Sequence, residues 1–122
     1  MKKLLVICCV AVAVPVATAD TRPAHVEGVV KIRNHAPAFH GRVVAENGSC
    51  NGPRPVKLYE RERTGDRVLL GVTTASLNGR WHVPIDPRRF GLYFAAAPKT
   101  KRIDGGVEFV CERAVSRLLV VD

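Results

Sequence analysis

From about residue 24 onward, apolar side chains recur at every second position, the period of a strand with one buried face. Val26, Val30 and Ile32 share one face, and Glu27, Lys31 and Arg33 share the other. Phe39, Gly41, Val43 and Ala45 alternate with His40, Arg42 and Glu46, and Val56 and Leu58 alternate with Lys57 and Tyr59. The period continues through Val68, Leu70 and Val72, then through Trp81, Val83 and Ile85 opposite Arg80 and His82. Leu92 to Ala97 is apolar on both faces and predicts a central strand. Phe109 and Cys111 share a side of a short segment, and Val115 to Val121 closes the chain.

Turn formers fall between these runs. Asn47-Gly48-Ser49, Asn51-Gly52-Pro53, Thr64-Gly65-Asp66, Asn78-Gly79, Asp86-Pro87 and Gly105-Gly106 supply residues that accept positive φ or preset it. No window of twelve residues carries a 3.6-residue apolar stripe free of such breakers. The prediction is therefore all-β: one antiparallel β-sandwich of seven or eight strands. Pro23, Pro37 and Pro55 belong at edges or strand starts, since proline cannot donate to a ladder.

The first nineteen residues follow a different rule. Met1-Lys2-Lys3 is a basic start, Leu4 to Val16 is an apolar run, and Ala17-Thr18-Ala19 offers small residues for cleavage. This is the layout of a secretory signal peptide, with Asp20 as the first mature residue and 20–122 as the β-sandwich domain. The run is too short, and interrupted by Pro15, for the ~20 apolar residues that a membrane helix needs. No second apolar run follows, so the mature chain is expected to be secreted, extracellular or periplasmic, with no integral membrane span.

Composition adds two things. The 122 residues carry 19 Lys+Arg against 11 Asp+Glu, a net charge of +8. Loss of Lys2 and Lys3 with the leader lowers that to +6, still basic. Cys8 and Cys9 leave as well, and in an oxidising compartment the remaining Cys50 and Cys111 are expected to pair. The competing role for these two is a reactive thiol, which needs a neighbouring base and an electropositive niche.

Several segments in order resemble a known family. They are Gly41-Arg42-Val43-Val44, Cys50, Pro55-Val56-Lys57-Leu58-Tyr59-Glu60, Leu70-Gly71-Val72-Thr73-Thr74, Asn78-Gly79-Arg80-Trp81, Gly91-Leu92-Tyr93-Phe94-Ala95 and Cys111. Over about residues 38–121 the chain resembles the transthyretin-like and carboxypeptidase-regulatory-like β-sandwich domains, closest to their small exported bacterial members. The resemblance implies an immunoglobulin-like sandwich framed by an early and a late cysteine. One enzymatic branch of that superfamily hydrolyses 5-hydroxyisourate and ends in Tyr-Arg-Gly-Ser. This chain ends Leu119-Val120-Val121-Asp122, without that hallmark, and fold alone carries no activity.

Candidate chemistry is sparse. His25, His35, His40 and His82 show no ligand spacing such as H-x-x-x-H or H-E-x-x-H, so no metal or other cofactor is expected. His40 and His82 point outward from their strands and would meet only if those strands were neighbours. Ser49, Ser76 and Ser116 lie in no nucleophile elbow. Glu60 and Glu62 alternate with Arg61 and Arg63 as a self-neutralising strand end, and Trp81 reads as core.

The basic clusters Arg88-Arg89 and Lys99/Lys101/Arg102 flank the Leu92–Ala97 strand at opposite ends. Nucleic-acid binding wants clustered charge with stacking aromatics, and neither the sequence nor an exported location offers that. These features predict a non-enzymatic exported module that binds a protein or an anionic envelope component. The alternative is a small hydrolase or small-molecule carrier using His40, His82 or Arg42.

Overall fold

The computed structural model describes residues 22–35, 37–85 and 91–121. The predicted leader, with Cys8 and Cys9, lies outside these residues, as do the Asp86-Pro87 turn and the Arg88-Arg89 pair. The described chain is all-β, and no helix in it is long and apolar enough to cross a membrane. In chain order the strands are β1 (Ala24–Val26), β2 (Gly28–His35), β3 (Ala38–Ala45), β4 (Arg54–Arg61), β5 (Arg67–Ala75) and β6 (Arg80–Val83). They continue as β7 (Gly91–Ala97), β8 (Thr100–Asp104), β9 (Val107–Cys111), β10 (Ala114–Val115) and β11 (Leu119–Val121), with a turn of 3₁₀ helix at Gly48–Cys50.

Three sheets form. One runs β2-β3-β6, a second β10-β7-β4-β5 with β11 also on β7, and a third β1-β9-β8. The first two are antiparallel throughout, whereas β1 lies parallel to β9. Val30, Ile32, Phe39, Val43, Trp81 and Val83 from the first sheet pack with Val56, Leu58, Tyr93, Ala95 and Ala97 from the second. The core thus lies between them, an arrangement consistent with a β-sandwich. As predicted, β7 is central, hydrogen-bonded to β4 on one side and to β10 and β11 on the other. Trp81 is core, as its alternation implied.

The strand number exceeds the predicted seven or eight for local reasons. The closing run Val115 to Val121 is split at Ser116, whose Oγ accepts the Ala95 amide proton at 2.9 Å and so interrupts the ladder on β7. At the other end the chain changes sheets at Glu27, leaving β1 on β9 and β2 on β3. Thr100–Asp104, read only as a basic cluster, is a strand of its own, turned into β9 by Gly105-Gly106 at φ +60° and +79°.

The sequence pattern also misplaces β5. A bulge follows Leu58, opposite Leu70, so Leu58 pairs with Gly71 but Tyr59 with Leu69. An extra residue reverses which side chains face in. Ala75, opposite the buried Arg54, is fully buried and Val72 is turned outward, whereas Val68, opposite Glu60, is exposed near the end of the strand. Only Leu70 of the expected apolar trio packs on the core.

Candidate functional site

Neighbouring strands β2, β3 and β6 bring together residues that lie far apart in sequence. His40 on β3 stands opposite Arg33 on β2 and His82 on β6. Two residues along, Arg42 stands opposite Lys31 and Arg80. Inward neighbours Ile32, Phe39, Trp81 and Val83 are buried, so the alternate set faces solvent. His35, next in line on β2, places its ring 5.6 Å from that of His40, and His40 stacks with His82 at 5.9 Å and 22°. The condition under which His40 and His82 would meet is therefore met.

Two glycines make this geometry possible. A Cβ on Gly41 would sit 1.9 Å from the Lys31 carbonyl and 2.4 Å from the Trp81 ring. Only a residue without one lets the indole lie across β3 and draws β6 alongside. Gly79, at φ +87°, carries the turn into β6, and its carbonyl accepts the Val43 amide at 2.8 Å. That turn also positions Arg42, whose Nε donates to the Asn78 carbonyl at 3.1 Å.

The result is a shallow depression of about 540 Å³ whose charged lining is Lys31, Arg33, Arg42 and Arg80, with His35 and His40 beside them. Among the described residues no carboxylate lines it, and none of the four cations forms an ion pair. Adjacent strands are ~4.8 Å apart and alternate residues ~6.7 Å apart. Like charges carried on such a grid repel one another. Directly opposed like charges destabilise a sheet, so this face bears an electrostatic load that an anion would relieve. Among the described residues no group of three or more His, Cys, Asp or Glu side chains is placed to hold a metal.

The other predicted residues lie elsewhere. Cys50 and Cys111 form a disulfide, with Cα atoms 5.5 Å apart and both sulfurs in a buried cluster with Val26. That occupies both thiols of the described chain. Each serine hydroxyl has its own partner: Ser49 donates to Asp104, Ser76 to Asn78 and Ser116 to the Arg117 carbonyl. Of the cluster after β7, Lys99 lies 4.0 Å from Glu112 and Arg102 donates to the Pro53 carbonyl at 2.6 Å. These cations are engaged in holding β8 and β9 in place.

His25 hydrogen-bonds the Glu112 carboxylate. That bond, reinforced by Lys99 and opposed by partial desolvation, holds the Glu112 carboxyl below the ordinary range.

One residue of consequence escaped the sequence pattern. Arg54 is 1% exposed, and its guanidinium donates to the carbonyls of Cys50 (3.1 Å), Pro98 (3.0 Å) and Glu112 (2.9 Å). Burial, with Arg102 nearby, lowers its pKa. Its partners are main-chain oxygens flanking both cysteines, so it acts as an internal clamp. The cationic face was only half visible: strand parity placed Lys31 with Arg33, His40 with Arg42 and Arg80 with His82, but nothing local placed β6 beside β3.

No protein-family model, curated protein or solved structure matches the chain.

Proposed function

We propose that this chain is an exported, non-enzymatic binding module on a transthyretin-like, immunoglobulin-like sandwich, and that it captures an anionic envelope component on the β2-β3-β6 face. One observation carries the reading: Lys31, Arg33, Arg42 and Arg80 share a depression that no carboxylate of the described residues lines. Guanidinium groups present planar donor forks suited to oxyanions. The leader-like N-terminus supports export, and the buried disulfide is weakly in keeping with an oxidising compartment.

The test uses protein recovered from the exported fraction after expression with its own leader. Replacing Arg33, Arg42 and Arg80 by Gln should weaken binding to an anionic polymer at neutral pH at least tenfold. The slope of log affinity against log salt should become shallower by about one for each arginine that pairs with an anion of the polymer. Gln at the exposed Arg61, Arg63 and Lys101, an equal reduction of charge, should cost less than threefold. Equal weakening in the two variants would leave only non-specific net charge.

The stacked His40–His82 pair favours a second reading, a small hydrolase or small-molecule carrier using those rings and Arg42. Turnover or ligand binding abolished in His40→Ala or His82→Ala with the fold intact would support it. The described lining consists of Lys31, Arg33, His35, His40, Gly41, Arg42, Arg80 and Trp81, side chains better suited to holding an anion than to supplying a nucleophile.

A further inference from the structure

Resting on the anion-binding reading, we infer that the occupant of this face is a linear polysaccharide bearing fixed-charge ester anions, and that its capture tightens as the pH falls. The ligand class follows from the layout of the face. Two rows of three, Lys31–Arg42–Arg80 and Arg33–His40–His82, form a grid with intervals of ~5–7 Å. A chain with anions recurring at that interval engages several points at once, whereas a single small anion engages one or two.

Stacking on bases is poorly served. Trp81 is 4% exposed, Phe39 is fully buried, and His40 stacks on His82 with His35 tilted against it. Single-stranded nucleic acids are held on exposed aromatic platforms, so a polymer recognised by its charges alone fits better. Val29 and Val44, exposed beside the Lys31–Arg42 row, and Glu27 and Glu46 beyond them bound the patch at that end.

The response to pH follows from what surrounds the rings. His35, His40 and His82 face Arg33 and Lys31 on β2, Arg42 on β3 and Arg80 on β6, with no acidic partner among the described residues. A polyanion bound beside an imidazole favours its protonated form. Histidine changes charge between pH 5 and 8, so ligand and protons bind with mutual help across that window. Ester sulfates and phosphodiesters keep their charge there, leaving the imidazoles as the titrating partner. A summed shift of one pKa unit over the three rings corresponds to a tenfold gain.

The experiment measures affinity for a sulfated dextran oligosaccharide at pH 7.5 and 5.5, at constant ionic strength, using the exported protein. Binding about tenfold tighter at pH 5.5 is expected, and replacing His35, His40 and His82 by Gln should reduce that ratio below about threefold. His25→Gln, remote from the face, should leave the ratio unchanged. On the unaltered protein, calorimetry at pH 6.5 in buffers of different ionisation enthalpy should report net proton uptake on binding. This arm stands even if the triple variant fails to fold.

Binding without pH dependence or proton uptake would overturn the gate and leave the cationic face standing. No binding at either pH would overturn both. Tighter binding of charge-matched single-stranded DNA or of anionic lipid vesicles would overturn the polysaccharide assignment.

Discussion

Arg54 shows how one side chain can join three stretches of backbone. Its guanidinium reaches the loop before β4, the end of β7 and the residue after β9. A buried acceptor left without its donor costs about 1–3 kcal/mol, and Arg54→Met would strand several. We expect that variant to lose at least 3 kcal/mol, read as a lower urea midpoint with unchanged slope, and Arg54→Lys to lose less. An equally stable methionine variant would show that the carbonyls are satisfied without the clamp. Nothing local in Gly52-Pro53-Arg54-Pro55 announces this role. Turn formers surround the arginine, and its burial depends on β7 and β9, more than forty residues away. Trp81, in contrast, was legible, because its alternation with Arg80 and His82 states which side of β6 it occupies.

Among the elements, β1 is lightly held. It has three residues and a single neighbour, β9, and the Glu112 amide donates to the Val26 carbonyl at 2.9 Å. The His25–Glu112 pair secures the same junction. A carboxyl whose proton affinity falls on folding adds stability above its unfolded pKa and loses it as the pH drops through the folded value. The depressed Glu112 should therefore keep β1 docked through neutral pH and release it in acid, as the carboxyl takes up its proton. Hydrogen exchange should show the Glu112 amide losing protection there before the core strands do. In Glu112→Gln the protection should be weak at every pH.

The pairing of β1 with β9 was not readable from alternation, which gives the faces of a strand but not its neighbours. The same gap hid the cationic face. It also let the bulge opposite Leu70 pass, since one added residue leaves the apolar composition unchanged while reversing the facing.

For the molecule as a whole, the all-β class and the central place of β7 were legible because turn formers and period-two runs are local. How three sheets share the strands was not. The disulfide spans 61 positions and links the 3₁₀ turn to β9, outside the main core. A loop of that length constrains the unfolded chain by about 4 kcal/mol in the chain-entropy model. Native stability is typically 5–15 kcal/mol, so the bridge is a large share of the total. Reduction, or Cys50→Ala with Cys111→Ala, should lower the melting temperature by about 15 °C or more. Both sulfurs are buried, so reductant alone should act slowly and mild denaturant should accelerate it.

The parallel pairing of β1 with β9 also sets an order of events. Val26 finds its partner in Cys111, so β1 waits for a strand made more than eighty residues later. Once residues 107–111 arrive, β1 can dock and the bridge can close beside it. β1 is thus committed only when β9 is present, and a product truncated before residue 107 would lack the strand on which both β1 and the bridge depend.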